Sequence, residues 1–98
     1  MNLGIALVGS GSATPSQRIT NDQLGRRVET SDSWIRSRTG ISERRVSGCE
    51  ETLGLLSQRA ASSALEMAGW DPISIDLILL ATSTPDDLFG TAPQVQAK

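Results

Sequence analysis

The sequence has no histidine and no tyrosine, and it carries one cysteine, two tryptophans and one phenylalanine. The lack of histidine removes the commonest general base of enzymes, and a lone cysteine cannot build a zinc site without partners. Cys49 has no second cysteine to pair with, so an internal disulfide is excluded, which suits a reducing compartment. No apolar run approaches the roughly 20 residues of a membrane-spanning helix, and the first residues, "MNLGIALVGSG", lack the features of a secretory signal. These absences predict a cytoplasmic protein without a metal or a membrane segment.

Charge is distributed unevenly along the 98 residues, although the net charge is only −2. The part before Val46 holds seven arginines and four acids, whereas the part from Val46 onward holds seven acids and two bases. The seven arginines are Arg18, Arg26, Arg27, Arg36, Arg38, Arg44 and Arg45. This asymmetry favours an anionic partner for the first half of the chain. For charge alone, a solvated surface with no partner is the simpler explanation.

Apolar periodicity and capping residues predict a series of short elements. Continuous apolar runs predict buried strands at Leu3–Val8 and at Leu77–Ala81, with a loop, "SATPSQRI", after the first. "ISERRV" predicts a short edge strand, and "APQVQAK" predicts the opening of a helix. The other predicted helices run from Asp22 to Val28, from a cap at Ser31 to Gly40, and from a cap at Thr52 to Gly69.

The helix between Thr52 and Gly69 is the best defined. Leu53, Leu56, Ala60, Ala64 and Met67 form one stripe at helical spacing, and its small residues would allow close packing against a sheet. The order of strands and helices predicts an α/β layered fold with a right-handed crossover between parallel strands. Two buried strands are few for a parallel sheet, so we expect the sequence to be the front part of a larger domain.

Two motifs that could take part in binding or catalysis give only weak evidence of a functional site. "GSGSAT" follows a predicted strand, but Thr14 replaces the third glycine of a dinucleotide fingerprint, and Pro15 follows where a helix should begin. Cys49 precedes the long helix, yet Glu50 and Glu51 oppose a thiolate there and no histidine can take the proton. We interpret the glycines as a tight turn and Cys49 as an incidental loop cysteine.

The segment "TSDSWIRSRTG" combines an indole with arginines in one short helix. Trp34 and Arg38 lie four residues apart and therefore share a face, while Ile35 turns away and can anchor the helix. An exposed indole beside a guanidinium suits a ligand with a flat ring and phosphates, such as coenzyme A. Thr30 and Thr39 could add hydroxyl hydrogen bonds. The alternative, which spacing alone favours, is that Trp34 is a core residue and Arg38 packs on it.

Several blocks, taken in order, resemble the amino-terminal part of β-ketoacyl-acyl carrier protein synthase III. The blocks are "GSGSATP", "TNDQL", "TSDSWIRSRTGISERR", "AASSALEMAGWDPISIDLILLATSTPD" and "FGTAPQVQ". The pattern D-x-W-I-x-x-R-T-G-I-x-E-R is specific, and the resemblance covers essentially the whole chain. It implies that residues 1–98 are the amino-terminal part of a thiolase-like condensing-enzyme domain, an incomplete half of βαβαβ type.

The resemblance also implies a function for the complete protein. A synthase III moves a short acyl group from coenzyme A to an enzyme cysteine and condenses it with malonyl-acyl carrier protein in fatty acid synthesis. It works as a homodimer, with coenzyme A thioester as substrate, no resident cofactor, and no nucleic acid or membrane partner. By resemblance, Trp34 stacks on the adenine, while Thr30, Arg38 and Thr39 help to hold coenzyme A. Phe89 lines the acyl pocket of the partner subunit.

The catalytic residues implied by the resemblance are not in this sequence. The family's cysteine lies shortly past Lys98, its histidine and asparagine lie further on, and Cys49 does not match the nucleophile. We therefore expect residues 1–98 alone to have no synthase activity, because acyl transfer needs a thiolate and donors for the developing oxyanion. Two alternatives stay open: a noncatalytic module that binds coenzyme A or other subunits, and a relative that starts a polyketide.

Overall fold

The structure is a computed structural model, and it describes residues 4–86 and 90–97. The chain divides into two compact units, one of Thr14–Glu50 and one of Met1–Ala13 with Glu51–Lys98. The elements, in chain order, are β1 (Gln17–Thr20), α1 (Asn21–Gly25), α2 (Asp32–Thr39), β2 (Glu43–Val46), α3 (Leu53–Ala68), a 3₁₀ turn (Pro72–Ser74) and α4 (Ala92–Ala97). Within the described ranges, no helix has the length and apolar character needed to cross a bilayer.

The unit Thr14–Glu50 is built on an antiparallel pair of short strands. β1 pairs with β2 in a register that places Gln17 opposite Val46 and Thr20 opposite Glu43. The edge strand predicted in "ISERRV" is thus confirmed. The loop predicted for "SATPSQRI" is wrong at its end, because residues from Gln17 onward supply the partner that β2 needs for its ladder of hydrogen bonds.

Helix α1 begins with a capping box. The Thr20 hydroxyl accepts from the Gln23 backbone N–H at 3.2 Å, and the Gln23 side chain accepts from the Thr20 backbone N–H at 2.9 Å. The helix ends at Gly25, three residues before the predicted end, and the Arg26 N–H turns back to the carbonyls of Gln23 and Leu24. Glycine is a poor helix former, so a helix this short gains little by continuing past it.

Helix α2 has the ends that the sequence predicts. The Ser31 hydroxyl accepts from the Trp34 backbone N–H at 3.2 Å, and Gly40 closes the helix with a φ of 73°. Only glycine adopts such a left-handed angle without cost, so the stop is encoded by one residue. Ile35 is the buried apolar side chain of this helix, which confirms its predicted role as an anchor.

Helix α3 dominates the other unit. Thr52 caps its start, and Gly69 ends it with a φ of 70°, both as predicted. Its amino terminus has a second cap, because the carboxylate of Asp86 accepts from the backbone N–H groups of Leu53 at 3.0 Å and Gly54 at 2.7 Å. Helix α4, predicted from "APQVQAK", is confirmed at Ala92–Ala97.

The close packing predicted for the small residues of α3 is realised with a glycine loop and not with a sheet. Gly9 and Gly11 lie so close to the helix that a Cβ on either would overlap a backbone carbonyl, that of Ala64 or that of Ala60. Met67, predicted for the buried stripe, is exposed, and its sulfur accepts from the Ser10 backbone N–H at 3.4 Å. The loop residues therefore occupy the place on α3 that we assigned to strands.

The two buried strands predicted from apolar runs are wrong for the described residues. Neither 4–8 nor 77–81 forms a strand. The sheet found within the described ranges has two strands, β1 and β2. The predicted crossover between parallel strands is therefore also not formed. A strand exists through hydrogen bonds to a neighbour, and in these segments apolar side chains such as Ile5, Leu7 and Leu79 remain exposed.

Candidate functional site

The strongest candidate site is the exposed face of α2. The Arg38 guanidinium carbon lies 4.7 Å from the centroid of the Trp34 ring, which is cation–π geometry. Trp34 is 55% exposed, so the interpretation of this residue as a core anchor is wrong. A half-exposed indole with a cation held on it can stack a planar ring and attract an anion at the same place.

A shallow hollow adjoins this indole. Glu29, Thr30, Ser31 and Trp34 line it, and its volume is about 250 Å³. Thr30 is half-buried, and its backbone N–H donates to the Val28 carbonyl at 2.9 Å, which fixes the turn before α2. The structure thus brings Thr30 and Trp34, two of the predicted site residues, to the wall of one hollow.

Thr39, also predicted to contact the ligand, uses its hydroxyl within the chain. The hydroxyl donates to the Ile35 carbonyl at 2.8 Å and accepts from the Ile41 backbone N–H at 3.1 Å. This pair of bonds links the last turn of α2 to the residue after Gly40. A hydroxyl placed in this way orders the end of the helix, and it has one remaining lone pair for a ligand.

The arginines of α2 and β2 differ in what holds them. The Arg36 guanidinium donates to the Asp32 carboxylate at 3.3 Å on the exposed surface. Arg45 donates to the Pro15 carbonyl at 2.9 Å, and Arg44 is half-buried with its guanidinium bonded to Ile19 and Asn21. Arg36 and Arg45 therefore present charge outward, whereas Arg44 is part of the packing.

Cys49 and Phe89 are the two remaining residues that the sequence analysis singled out. Cys49, predicted as a loop cysteine, is an exposed free cysteine in a turn. Phe89 lies outside the described residues. Within 4–86 and 90–97, no group of three or more histidine, cysteine, aspartate or glutamate residues could hold a metal ion.

Sequence reasoning missed the importance of Asn21, which directly precedes the helix predicted from Asp22. Asn21 is 1% exposed and bonds to Asp32, Ile41 and Arg44. No periodicity in the sequence marks such a residue, because its partners are 11 to 23 positions away.

Known proteins similar to this chain are condensing enzymes. The beta-ketoacyl-(acyl-carrier-protein) synthase III of Prochlorococcus marinus strain MIT 9313 is 76% identical over 94 residues, which is 96% of this chain. The enzyme of the same name from Synechococcus sp. strain WH7803 is 62% identical over 98% of the chain. The chain spans about 28% of the length of these relatives. No family model matches the sequence.

Solved structures agree with the sequence relatives. The crystal structure of 3-oxoacyl-(acyl-carrier-protein) synthase III from Aquifex aeolicus VF5 matches with a TM-score of 0.87 and 46% identity, over 92% of this chain and 29% of that one. The priming β-ketosynthase of the R1128 polyketide pathway matches with a TM-score of 0.75 and 27% identity, over 93% and 28%.

These similarities identify the fold class of the chain and the enzymes that it resembles. The fold is α/β, and it is that of the amino-terminal part of the thiolase-like condensing enzymes. The chain is similar, over nearly its whole length, to an amino-terminal portion of β-ketoacyl-acyl carrier protein synthase III, an acyltransferase. The resemblance that the sequence carries in "TSDSWIRSRTGISERR" is thereby confirmed.

Proposed function

We propose that the complete protein to which these residues belong is the initiating β-ketoacyl-acyl carrier protein synthase of fatty acid synthesis. It would transfer acetyl, or another short acyl group, from coenzyme A to a catalytic cysteine that would lie beyond residue 98. Condensation with malonyl-acyl carrier protein would then give a 3-ketoacyl product and release carbon dioxide. The carrying observation is the 76% identity to a named synthase III over 94 residues.

The contribution of this chain to that reaction is the adenine end of the coenzyme A site. The supporting observation is the exposed indole of Trp34, with the Arg38 guanidinium 4.7 Å from its centroid. A purine ring can stack on the free part of the indole while a phosphate pairs with the guanidinium. Thr30 lines the adjoining hollow, and Thr39 orders the end of α2 with a lone pair left for the ligand.

The proposal is tested by an assay of the complete protein. With acetyl-coenzyme A and malonyl-acyl carrier protein, we expect a 3-ketoacyl product with release of one carbon dioxide and one coenzyme A for each condensation. Residues 1–98 alone are expected to give none, because they include no matching nucleophile. Condensation by the purified 98-residue polypeptide would contradict this account of the fragment.

A second function has a specific observation in its favour. The similarity to the R1128 priming β-ketosynthase, at a TM-score of 0.75, extends the proposal to an enzyme that starts a polyketide. The higher identity to the synthase III relatives, 76% against 27%, favours the fatty acid pathway. The native carrier protein separates the two: co-purification with a dedicated polyketide carrier, and no turnover with the general one, would favour the polyketide starter.

The complete protein would work with acyl carrier protein as its partner, as a cytoplasmic homodimer. Arg36 and Arg45 are exposed and would attract an acidic carrier, although Arg36 also bonds to Asp32, whereas Arg44 is bonded to Ile19 and Asn21. In the homodimer, Phe89 would line the acyl pocket of the partner subunit and influence the accepted chain length. A noncatalytic binding module is the remaining alternative, and absence of condensation by a complete protein that binds coenzyme A would favour it.

Replacing Arg36 and Arg45 together with alanine is expected to lower kcat/KM for malonyl-acyl carrier protein by about 2- to 10-fold at low salt, through a slower encounter. The effect should shrink as ionic strength rises, because exposed charges are screened. Arg59→Ala, which removes an exposed arginine from α3, is the matched control and should change little. A rate that depends on neither salt nor Arg36 and Arg45 would count against this docking role.

A further inference from the structure

Asn21 is a buried polar residue in a unit where most side chains are exposed. It is the first residue of α1 and is 1% exposed, so its amide has lost its water. An amide buried without partners is destabilising, and such groups in folded proteins are almost always bonded. The hydrogen-bond partners of Asn21 therefore indicate its structural role.

Three strong hydrogen bonds surround the Asn21 side chain. Its Nδ2 donates to Asp32 Oδ1 at 2.8 Å and to the Ile41 carbonyl at 2.7 Å. Its Oδ1 accepts from Arg44 Nη2 at 2.7 Å. Both donors of the amide are used, and two of its three partners are charged side chains, which give the stronger hydrogen bonds.

The charges of the partners allow one orientation of the amide. A carboxylate can only accept and a guanidinium can only donate, so the NH₂ group must face Asp32 and the oxygen must face Arg44. The Arg44 guanidinium is held in turn by the Ile19 carbonyl at 3.3 Å. The backbone of Asn21 adds a further bond, from its N–H to the Ser42 carbonyl at 3.1 Å.

These bonds secure α2 at both ends. Asp32 is the first residue of the helix, and Ile41 follows Gly40, the residue that closes it. One side chain thus ties the start and the exit of a helix of only 8 residues to α1 and β2. A helix this short has little stability of its own, so its placement depends on such contacts.

We propose that Asn21 is a positioning residue for the coenzyme A surface of α2, acting through Asp32 and Ile41 and touching no ligand itself. The inference rests on the proposed function, since it assumes that Trp34 and Arg38 bind coenzyme A. Loss of the two bonds from Nδ2 frees both ends of α2 and spreads the indole and the guanidinium over several positions. Ligand affinity then falls because the helix must be ordered again on binding.

The test measures the dissociation constant of coenzyme A on the complete protein, together with kcat at saturating acetyl-coenzyme A. For Asn21→Ala we expect the dissociation constant to rise about tenfold, while kcat stays within about twofold. Gln58→Ala removes an amide hydrogen bond from α3, to Ser62, and is the matched control that should leave both values unchanged.

A double-mutant cycle with Trp34→Ala distinguishes positioning from general stability. If Asn21 acts through the α2 surface, Asn21→Ala adds little to the loss that Trp34→Ala has already caused. Additive losses would overturn the proposal. So would an unchanged dissociation constant in folded Asn21→Ala when Trp34→Ala weakens binding. An unchanged constant in Trp34→Ala itself would instead overturn the proposed site.

Asn21→Ser keeps a donor and an acceptor in a smaller side chain, and it is measured if Asn21→Ala does not fold. The same rise in the dissociation constant, with kcat retained, supports positioning. Failure of both variants to fold would assign Asn21 to the fold alone and would overturn the proposal.

Discussion

Trp34→Ala in the complete protein is expected to weaken coenzyme A binding by about 10- to 100-fold, since a base stacked on an aromatic side chain contributes about 1–3 kcal/mol. The melting temperature should change little, because 55% of the indole is exposed and its removal leaves no large cavity. Calorimetric titration with coenzyme A, beside a thermal melt, measures both quantities. Trp34→Phe keeps a ring for stacking and should recover part of the affinity.

Trp70→Ala is the matched control for this experiment. Trp70 is 52% exposed, nearly the same as Trp34, but it follows the carboxyl end of α3. Its removal should leave coenzyme A affinity unchanged. Equal losses of affinity in the two variants would show that exposed tryptophans matter only for general stability, and the assignment of the site to α2 would fail.

Gly11→Ala is expected to be the most damaging single-methyl change in the described part of the chain. An added Cβ would overlap the Ala60 carbonyl and approach the Ala64 backbone nitrogen within 2.7 Å. Backbone atoms of a helix cannot move aside as a flexible side chain can, so the loop or α3 must shift. Overpacking of this kind costs about 1–3 kcal/mol, and sometimes more.

Denaturant unfolding of the complete protein measures this loss, and Gly4→Ala supplies the control. A Cβ at Gly4 meets nothing within 4 Å, so that variant should unfold at the same denaturant concentration as the parent. Gly9→Ala should resemble Gly11→Ala, since its Cβ would overlap the Ala64 carbonyl. Equal stability of Gly4→Ala and Gly11→Ala would contradict the close packing of the loop on α3.

Helix ends were the most predictable part of this fold, because single residues encode them locally. Ser31 and Thr52 were predicted as amino-terminal caps. Each hydroxyl accepts a hydrogen bond from the backbone N–H three residues further along the chain. Gly40 and Gly69 were predicted as stops, and both adopt a positive φ. Capping depends on a few neighbouring residues, so these helix ends form without contacts from distant parts of the chain.

Strands were less predictable, because a strand depends on residues far along the chain. The apolar runs at 4–8 and 77–81 have the composition of buried strands, yet within the described residues neither pairs with a neighbour. Most of β1 was predicted as the end of the loop "SATPSQRI", yet it pairs with β2 across an interval of 29 residues between Gln17 and Val46. Composition predicts the capacity to form a strand, while the partner decides whether one forms.

The candidate site was predictable only where it depends on residues that are close in the sequence. Helical spacing placed Trp34 and Arg38 on one face, and the structure confirms the contact. Spacing alone favoured a buried Trp34, which was wrong, because the indole is 55% exposed. Asn21 stayed unrecognised because its role comes from a buried network that joins four segments of the unit.

Photolabelling with a coenzyme A analogue that carries an azide on the adenine tests the central claim most directly. After labelling of the complete protein and digestion with trypsin, the adduct should lie in the peptide of residues 28–36, which contains Trp34. Excess unmodified coenzyme A should prevent the labelling. Protectable label found only outside residues 14–50 would contradict the account, because α2 would then not hold the adenine.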